Sequence, residues 1–285
     1  MQVFRRADEM RAWSLSRKCA GKRVGFVPTM GALHEGHLSL MRAAVRENDV
    51  AVASIFVNPA QFAPNEDFDA YPRTFESDLE MSQETGIRAI YAPTASAMYP
   101  EGYATYVNVD RISEGLCSRT RPHFFRGVAT VVVKLFNAVL PDRAYFGQKD
   151  AQQYAVIKRM AQDLDMGIEI IEMPIIREPD GLAMSSRNRY LGPEDRQRAL
   201  CLSQSLFRAL DALEAGERSV KKIVQMVRNG MKDVDIDYVE LVDAETMQPV
   251  NEVHRTILLA AAAQVGPARL IDNIKFAPPE TTPAH

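Results

Sequence analysis

The sequence predicts an α/β fold, a doubly wound parallel sheet followed by a smaller α+β domain. Three observations carry that expectation. A short apolar strand, Val24 to Thr29, runs into the Gly-punctuated loop Met30-Gly31-Ala32-Leu33-His34-Glu35-Gly36 and then into a helix from about His37 to Glu47. The next apolar run, Val50 to Val57, is too short and too β-branched for a second helix, and so completes one βαβ unit. Beyond Ile168 to Glu172 helices no longer separate the strands, which marks a change of architecture.

Between those points helix and strand alternate. Phe75 to Gly86 has helical character, and Ala89 to Ala92 reads as a strand. Gly127 to Leu140 is a helix stopped by Pro141. Arg143 to Phe146 is a brief strand, and after Gly147-Gln148-Lys149-Asp150 the residues Val156, Ile157, Met160 and Leu164 recur at helical spacing. Such alternation puts a parallel sheet between two layers of helices, a Rossmann-like arrangement. Two amphipathic helices follow, about Glu194 to Ala215 and Val220 to Asp233, leading into strands near Tyr238 to Val242, Thr256 to Ala262 and Arg269 to Ile274. The boundary is placed at Ile176, giving domains 1–176 and 177–285, with the smaller one covering the cleft and the loop Arg177 to Asn188 at the junction. The Pro- and Thr-rich stretch Phe276 to His285 reads as a loose tail.

With 285 residues, 46% hydrophobic and 25% charged, the chain is long enough for one large domain or two modest ones and too apolar to be disordered. Its richest apolar run, Ile257 to Ala263, is far too short for a membrane span, and Met1 to Arg6 lacks the apolar core of a signal peptide. A cytoplasmic protein without a membrane partner is expected. Cys19, Cys117 and Cys201 lie far apart with no CxxC pair, so they read as buried or inert thiols rather than a disulfide framework or a zinc site. The balance of 34 basic against 37 acidic side chains, net −3, argues against a general nucleic-acid binder. Locally the sign reverses. From Arg111 to Lys149, the cations Arg111, Arg119, Arg121, Arg126, Lys134, Arg143 and Lys149 face only Glu114 and Asp142, a pattern that suits a compact anionic ligand.

Four segments are candidates for chemistry. The first, His34-Glu35-Gly36-His37, opens the first helix of the βαβ unit. In an open α/β sheet the ligand crevice lies beyond the carboxyl ends of the strands, where a helix N-terminus offers N–H groups and a positive dipole end to phosphate. Two imidazoles in that turn add hydrogen bonds, and Gly36 leaves room for a flat base or ribose, so the pattern points to a nucleoside triphosphate. The spacing is not HExxH and no third ligand is near, so no protein-bound metal is expected. The bland reading is a helix cap beside a surface histidine.

Met184-Ser185-Ser186-Arg187-Asn188 combines two hydroxyls with a fixed cation able to close on phosphates and stabilise departing pyrophosphate. Taken alone it is a polar loop that caps a helix. Gly147-Gln148-Lys149-Asp150-Ala151-Gln152-Gln153 sits at another strand-to-helix turn, where Lys149 suits phosphate, Asp150 a ribose hydroxyl and Gln153 the same cleft. The plainer role for Asp150 is an N-cap. No GxxxxGK[ST] P-loop is present, so the nucleotide arrangement is of another kind. Asn58-Pro59-Ala60-Gln61-Phe62 ends the second strand and offers an amide among apolar groups, which fits a small polar organic substrate.

Taken together, Pro28 to His37, Phe56 to Phe62, Phe146 to Asp150 and Gly181 to Leu191, in this order and spacing, closely resemble the pantothenate synthetase (pantoate–β-alanine ligase) family. That family lies in the nucleotidyltransferase superfamily, whose HIGH and KMSKS motifs are similar to the HxGH turn and the MSSR loop here. The resemblance implies ATP-dependent ligation of pantoate and β-alanine to pantothenate through pantoyl adenylate, releasing pyrophosphate and AMP. It implies Mg2+ accompanying ATP and a homodimer, with no nucleic-acid partner. By the same resemblance His34, His37, Lys149, Ser185, Ser186 and Arg187 hold phosphates and are the catalytic set, with His37 as the general acid or as a hydrogen-bond donor only. Met30, Gly31, Gln148, Ile176 and Met184 complete the ATP site, Gly147 and Asp150 face the ribose, and Gln61 and Gln153 bind pantoate. The family's Arg-Pro-x-His-Phe is shifted here to Arg121-Pro122-His123-Phe124-Phe125, so His123 is left out of that set, and Arg121 equally serves to anchor a loop. Other adenylyltransferases share the HxGH turn, but Asn58 to Phe62 and the α+β domain disfavour them. A silent relative of tRNA synthetases is disfavoured by the intact His34, His37, Lys149 and Arg187.

Overall fold

The computed structural model describes residues 1–62 and 68–279. The chain divides into two units, the first made of Met1–Asp110 with Arg121–Ile176 and the second of Arg111–Thr120 with the residues from Arg177 onward.

In the first unit, β1 (Gln2–Phe4), β2 (Val24–Thr29), β3 (Val50–Ile55), β4 (Ala89–Tyr91), β5 (Arg143–Gly147) and β6 (Glu169–Met173) form one sheet. All neighbours are parallel, in the order β1-β4-β3-β2-β5-β6. A parallel sheet covered on both faces needs strands that are apolar throughout, and every residue of β3 is buried. The helices of this unit are α1 (Ala7–Cys19), α2 (Glu35–Glu47), α3 (Phe75–Glu84), the single turn α4 (Ala95–Met98), α5 (Phe124–Val139) and α6 (Ala151–Asp163). Helix α2 presents Leu40, Met41, Ala43 and Ala44 to the sheet, whereas α5 is apolar on most of its circumference and is the most deeply buried. It ends at Leu140, which takes a left-handed conformation (φ 49°) before Pro141.

Several boundaries differ from the sequence reading. Helix α2 begins at Glu35 rather than His37, because the His34 carbonyl already accepts the N–H groups of His37 (2.8 Å) and Leu38 (3.1 Å). Strand β3 ends at Ile55 rather than Val57, since the chain turns into a short 3-10 helix, Pro59–Gln61, whose first residue has no N–H for a sheet. Elements β1 and α1 carry little sequence signal: β1 has three residues, and α1 buries only Met10 and Ser14.

The second unit pairs α7 (Pro193–Glu214) and α8 (Val220–Gly230) with an antiparallel sheet of β7 (Asp235–Asp243), β8 (Ile257–Val265) and β9 (Ala268–Phe276) in sequential order. Pro193 and the acidic Glu194 and Asp195 start α7 where a helix N-terminus favours them. Its core joins Leu202, Leu206, Leu213, Ile223 and Val227 to Leu259 and Ala261 of β8. Residues 111–120, within the span read as the first domain, group with this unit because they bond to β7 and β9. Arg119 pairs with Glu240 at 3.2 Å, Thr120 Oγ1 donates to Asp237 at 3.3 Å, and Arg269 approaches the Cys117 sulfur at 3.9 Å.

The expected tail starts inside β9, where Phe276 is buried; 280–285 lie outside the described residues. Cys117 is buried and Cys19 exposed, and burial pushes the Cys201 thiol up to about 11. Among the described residues no helix is long and apolar enough to cross a membrane.

Candidate functional site

Chain order places the site. From β2 the chain moves through β3 to β4 on one side of the sheet, then returns so that β5 lies on the other side of β2. Loops leaving β2 and β5 therefore diverge at a topological switch point, which opens a crevice at the carboxyl ends of the strands. The HxGH turn follows β2 and Gly147 to Asp150 close β5, so two of the four sequence motifs flank this crevice.

The turn after β2 is tightly specified. Gly31 takes φ +81° and Ala32 φ +50°, both in the left-handed region. Thr29 Oγ1 donates to the Ser54 carbonyl at 2.6 Å and accepts the Gly31 N–H at 3.2 Å. His34 then occupies the N-cap position of α2 with extended backbone, but its side chain does not cap the helix. The cap role offered by the bland sequence reading is thus not what His34 does. Its ring lies 4.1 Å from that of His37, centroid to centroid.

Burial lowers the pKa of His37 well below the ordinary 6.5, and the neighbouring charges of His34 and Lys149 push in the same direction. The imidazole is therefore neutral at pH 7 and acts as a hydrogen-bonding group. Its Nδ1 atom is buried without a hydrogen-bond partner among the described residues. A buried polar atom left without a partner marks a place where a ligand completes the bonding.

Lys149 and Asp150 stand at the start of α6. Asp150 is at the N-cap position but makes no side-chain cap, and its carboxylate is 3.7 Å from the Lys149 ammonium. Gln153 lies in the first turn of α6 and is half-buried.

A third loop reaches the turn after β2. Gln61 closes the 3-10 helix after β3, and its Nε2 atom reaches the Met30 sulfur at 2.8 Å. Its Oε1 accepts from Asn58 Nδ2 at 3.1 Å. Asn58 is itself fixed, because its Nδ2 also donates to the Gly127 carbonyl (3.1 Å) while its Oδ1 accepts from Tyr99 OH (2.8 Å) and the Ala60 N–H (3.2 Å). That network turns the Gln61 amide so that its N–H face is the one directed toward Met30. Burial raises the Tyr99 pKa, so the phenol remains a protonated donor. Asn58, Tyr99 and the buried Asp78 are residues of this neighbourhood that the sequence reading did not single out. Only Asn58 lay inside a quoted motif.

The local cation surplus does not gather into one patch. Arg143 pairs with Glu169 at 2.7 Å and Arg119 with Glu240. Arg126 stacks over Tyr106 and Lys134 over Tyr103. Arg121 lies over Phe124 and donates to the Gln61 carbonyl at 3.1 Å, the loop-anchoring role. His123 is exposed at the start of α5. Of the cations in that stretch, Lys149 is the one whose charge reaches His37.

Ile176 ends the first unit; Met184, Ser185, Ser186 and Arg187 belong to the second. There the serine-rich segment is braced rather than loose. Ser185 Oγ accepts the Arg187 N–H at 3.3 Å, and Asn188 Nδ2 donates to Glu178 (2.6 Å) and to the Ala183 carbonyl (3.1 Å). Arg196 holds Glu178 and Asp180 from α7, at 2.5 and 2.7 Å.

The chemistry available at the crevice of the first unit suits a polyphosphate: helix N–H groups, the neutral His37 with His34 beside it, and the Lys149 ammonium. Residues 2–275 match the family model for pantoate-beta-alanine ligase. A pantothenate synthetase from Thermotoga petrophila is 54% identical over 276 residues, covering 96% of this chain and 99% of that protein. Among solved structures, a pantothenate synthetase from Thermus thermophilus is similar with a TM-score of 0.91 at 42% identity, covering 96% of this chain and 99% of the other. A pantoate-beta-alanine ligase from Francisella tularensis, complexed with beta-gamma ATP and beta-alanine, is similar with a TM-score of 0.77 at 31% identity, covering 96% and 97%.

Proposed function

The chain belongs to the pantoate–β-alanine ligase family and is an ATP-dependent ligase joining pantoate to β-alanine, and we propose that it works through pantoyl adenylate. In the first step a pantoate carboxylate oxygen attacks the α-phosphorus of ATP, and the bond from that phosphorus to the bridging oxygen breaks to release pyrophosphate. In the second, the β-alanine amine attacks the acyl carbon and the bond to AMP breaks, with the amine proton passing to solvent. Neither step requires a covalent enzyme intermediate. The enzyme's task is positioning and stabilisation of negative charge.

The observation that carries this reading is the His34–His37 pair at the N-terminus of α2 with the Lys149 charge beside it. A neutral His37 donates a hydrogen bond to a phosphate oxygen and needs no proton transfer, since pyrophosphate leaves readily once its charge is neutralised. We assign His34, His37 and Lys149, with Ser185, Ser186 and Arg187 of the second unit, to the phosphates. Met30, Gly31, Gln148, Ile176 and Met184 line the nucleotide, and Gly147 and Asp150 take the ribose. Gln61, with its N–H face set by Asn58, and Gln153 take pantoate.

Among the described residues no group of three or more His, Cys, Asp or Glu is placed to hold a metal. These residues fit Mg2+ held by phosphate oxygens and water, the usual habit of that ion, where it would neutralise the departing pyrophosphate. A cytoplasmic homodimer is proposed on the family resemblance.

The test is product analysis with MgATP, pantoate and β-alanine, each organic substrate omitted in turn. AMP and pantothenate should form only in the complete mixture, and labelled pyrophosphate should exchange into ATP with pantoate alone. ADP as product, or exchange without pantoate, overturns the adenylate route.

A further inference from the structure

We infer that Asp78 sets the backbone turn that presents His34 and the first N–H groups of α2 to ATP, as a positioning residue for nucleotide binding. The inference rests on the reading that this turn binds the ATP phosphates. Asp78 lies in α3, 46 residues along the chain from Ala32, and is only 1% exposed. Its Oδ2 accepts the Ala32 N–H at 3.0 Å, and its Oδ1 accepts the Leu33 N–H at 2.8 Å and the Thr74 hydroxyl at 3.2 Å.

A buried charge beside an anion site needs a reason, because it repels the ligand and is costly to desolvate. The reason here is acceptor count. Two consecutive N–H groups, Ala32 and Leu33, point into the protein from a turn that has no β partner of its own. An ionised carboxylate satisfies both with two oxygens, which a neutral amide cannot do. The left-handed conformation of Ala32 is unfavourable for a residue with a Cβ, so the turn requires an external clamp. The fit is close as well: a Cβ on Gly31 would sit 2.9 Å from Asp78 Oδ2 and 3.1 Å from Ile55 Cγ2. With the Ala32 and Leu33 donors tied inward, the chain enters α2 with His34 extended. The N–H groups that the helix leaves without intrahelical acceptors are then the ones offered to phosphate.

The test is calorimetric titration of the full chain with ATP and Mg2+, without pantoate, alongside steady-state kinetics. Asp78→Asn keeps the side chain's size but sets an amide N–H against a backbone N–H, and should raise the Kd for ATP about tenfold or more. The KM for β-alanine should not move. A folded Asp78→Asn protein with wild-type ATP affinity, losing only thermal stability or the fraction of active molecules, overturns the proposal. Should Asp78→Asn fail to fold, Thr74→Val removes one bond to the carboxylate and should weaken ATP roughly two- to fivefold. Unchanged affinity in that folded variant overturns the proposal too. Wild-type protein that binds ATP but shows no pantoate-dependent exchange refutes the adenylate route and leaves the Asp78 result standing, whereas wild type that does not bind ATP takes both down.

Discussion

The imidazoles of His34 and His37 lie 4.1 Å apart, 36° from parallel, on the opening turn of α2. Rings this close at a helix N-terminus cannot both carry a proton without repelling each other and the helix dipole. The depressed pKa of His37 follows from its burial first and from His34 and Lys149 second. The chemical result is a neutral His37 beside His34 at a helix N-terminus, a turn matched to an anion.

That pair makes stability depend on pH with a definite sign. Between the folded pKa of His37 and its ordinary value of 6.5, the unfolded chain binds a proton that the folded chain refuses. Its contribution to stability is thus complete above pH 6.5 and is lost as pH falls toward the folded pKa. Thermal melting of wild type and His37→Gln across this range should show a steeper acid-side fall for wild type. Parallel curves would show that His37 does not titrate abnormally.

Lys149 supplies the ammonium of the crevice. Lys149→Ala should leave the melting temperature close to wild type and slow pantoate-dependent pyrophosphate exchange about 100-fold, the usual loss on removing one charge-stabilising donor. Exchange within a few-fold of wild type would remove Lys149 from the phosphate-binding set.

Sequence and structure agree where local pattern decides position. The glycine-punctuated turn between an apolar strand and an amphipathic helix is a short-range signal, so the HxGH motif and its place at the carboxyl end of β2 were legible. Strand order was not, and with it the reason why His37 and Lys149, far apart in sequence, share one crevice. The same holds for Asp78, whose role consists of bonds to residues 45 and 46 positions away and leaves no mark on α3's own pattern. Residues 111–120 group with the second unit through ion pairs and hydrogen bonds to β7 and β9, which composition does not encode.

Gly127 illustrates a packing requirement hidden in a favourable helix. Alanine is the better helix former by roughly 1 kcal/mol, yet here a Cβ would run into the Ala60 carbonyl of the 3-10 helix that ends at Gln61. The Gly127 carbonyl also accepts from Asn58 at 3.1 Å. Gly127→Ala should cost about 2 kcal/mol by overpacking, or about 4–8 °C in Tm for a domain of this size. It should also raise the KM for pantoate, because the loop carrying Gln61 must shift. A variant as stable as wild type would mean that α5 and the loop can separate freely.

In the second unit, Arg177 and Asp272 form a two-bond pair, Nη1 to Oδ2 at 2.6 Å and Nη2 to Oδ1 at 3.0 Å, with Asp272 only 3% exposed. Arg177 also lies over Phe207 and donates to the Gly181 carbonyl at 3.1 Å, so it ties the start of the segment leading to Ser185 to β9. Removing one partner of such a pair strands a buried charge, whereas replacing both with apolar groups of similar size removes the desolvation cost along with the attraction. Arg177→Met should therefore lower the unfolding free energy by about 3–5 kcal/mol, and Arg177→Met with Asp272→Leu should recover part of that loss. Urea midpoints of the two variants decide the matter. If the double variant is no more stable than Arg177→Met, the damage lies in the lost Gly181 and Phe207 contacts and not in an uncompensated carboxylate.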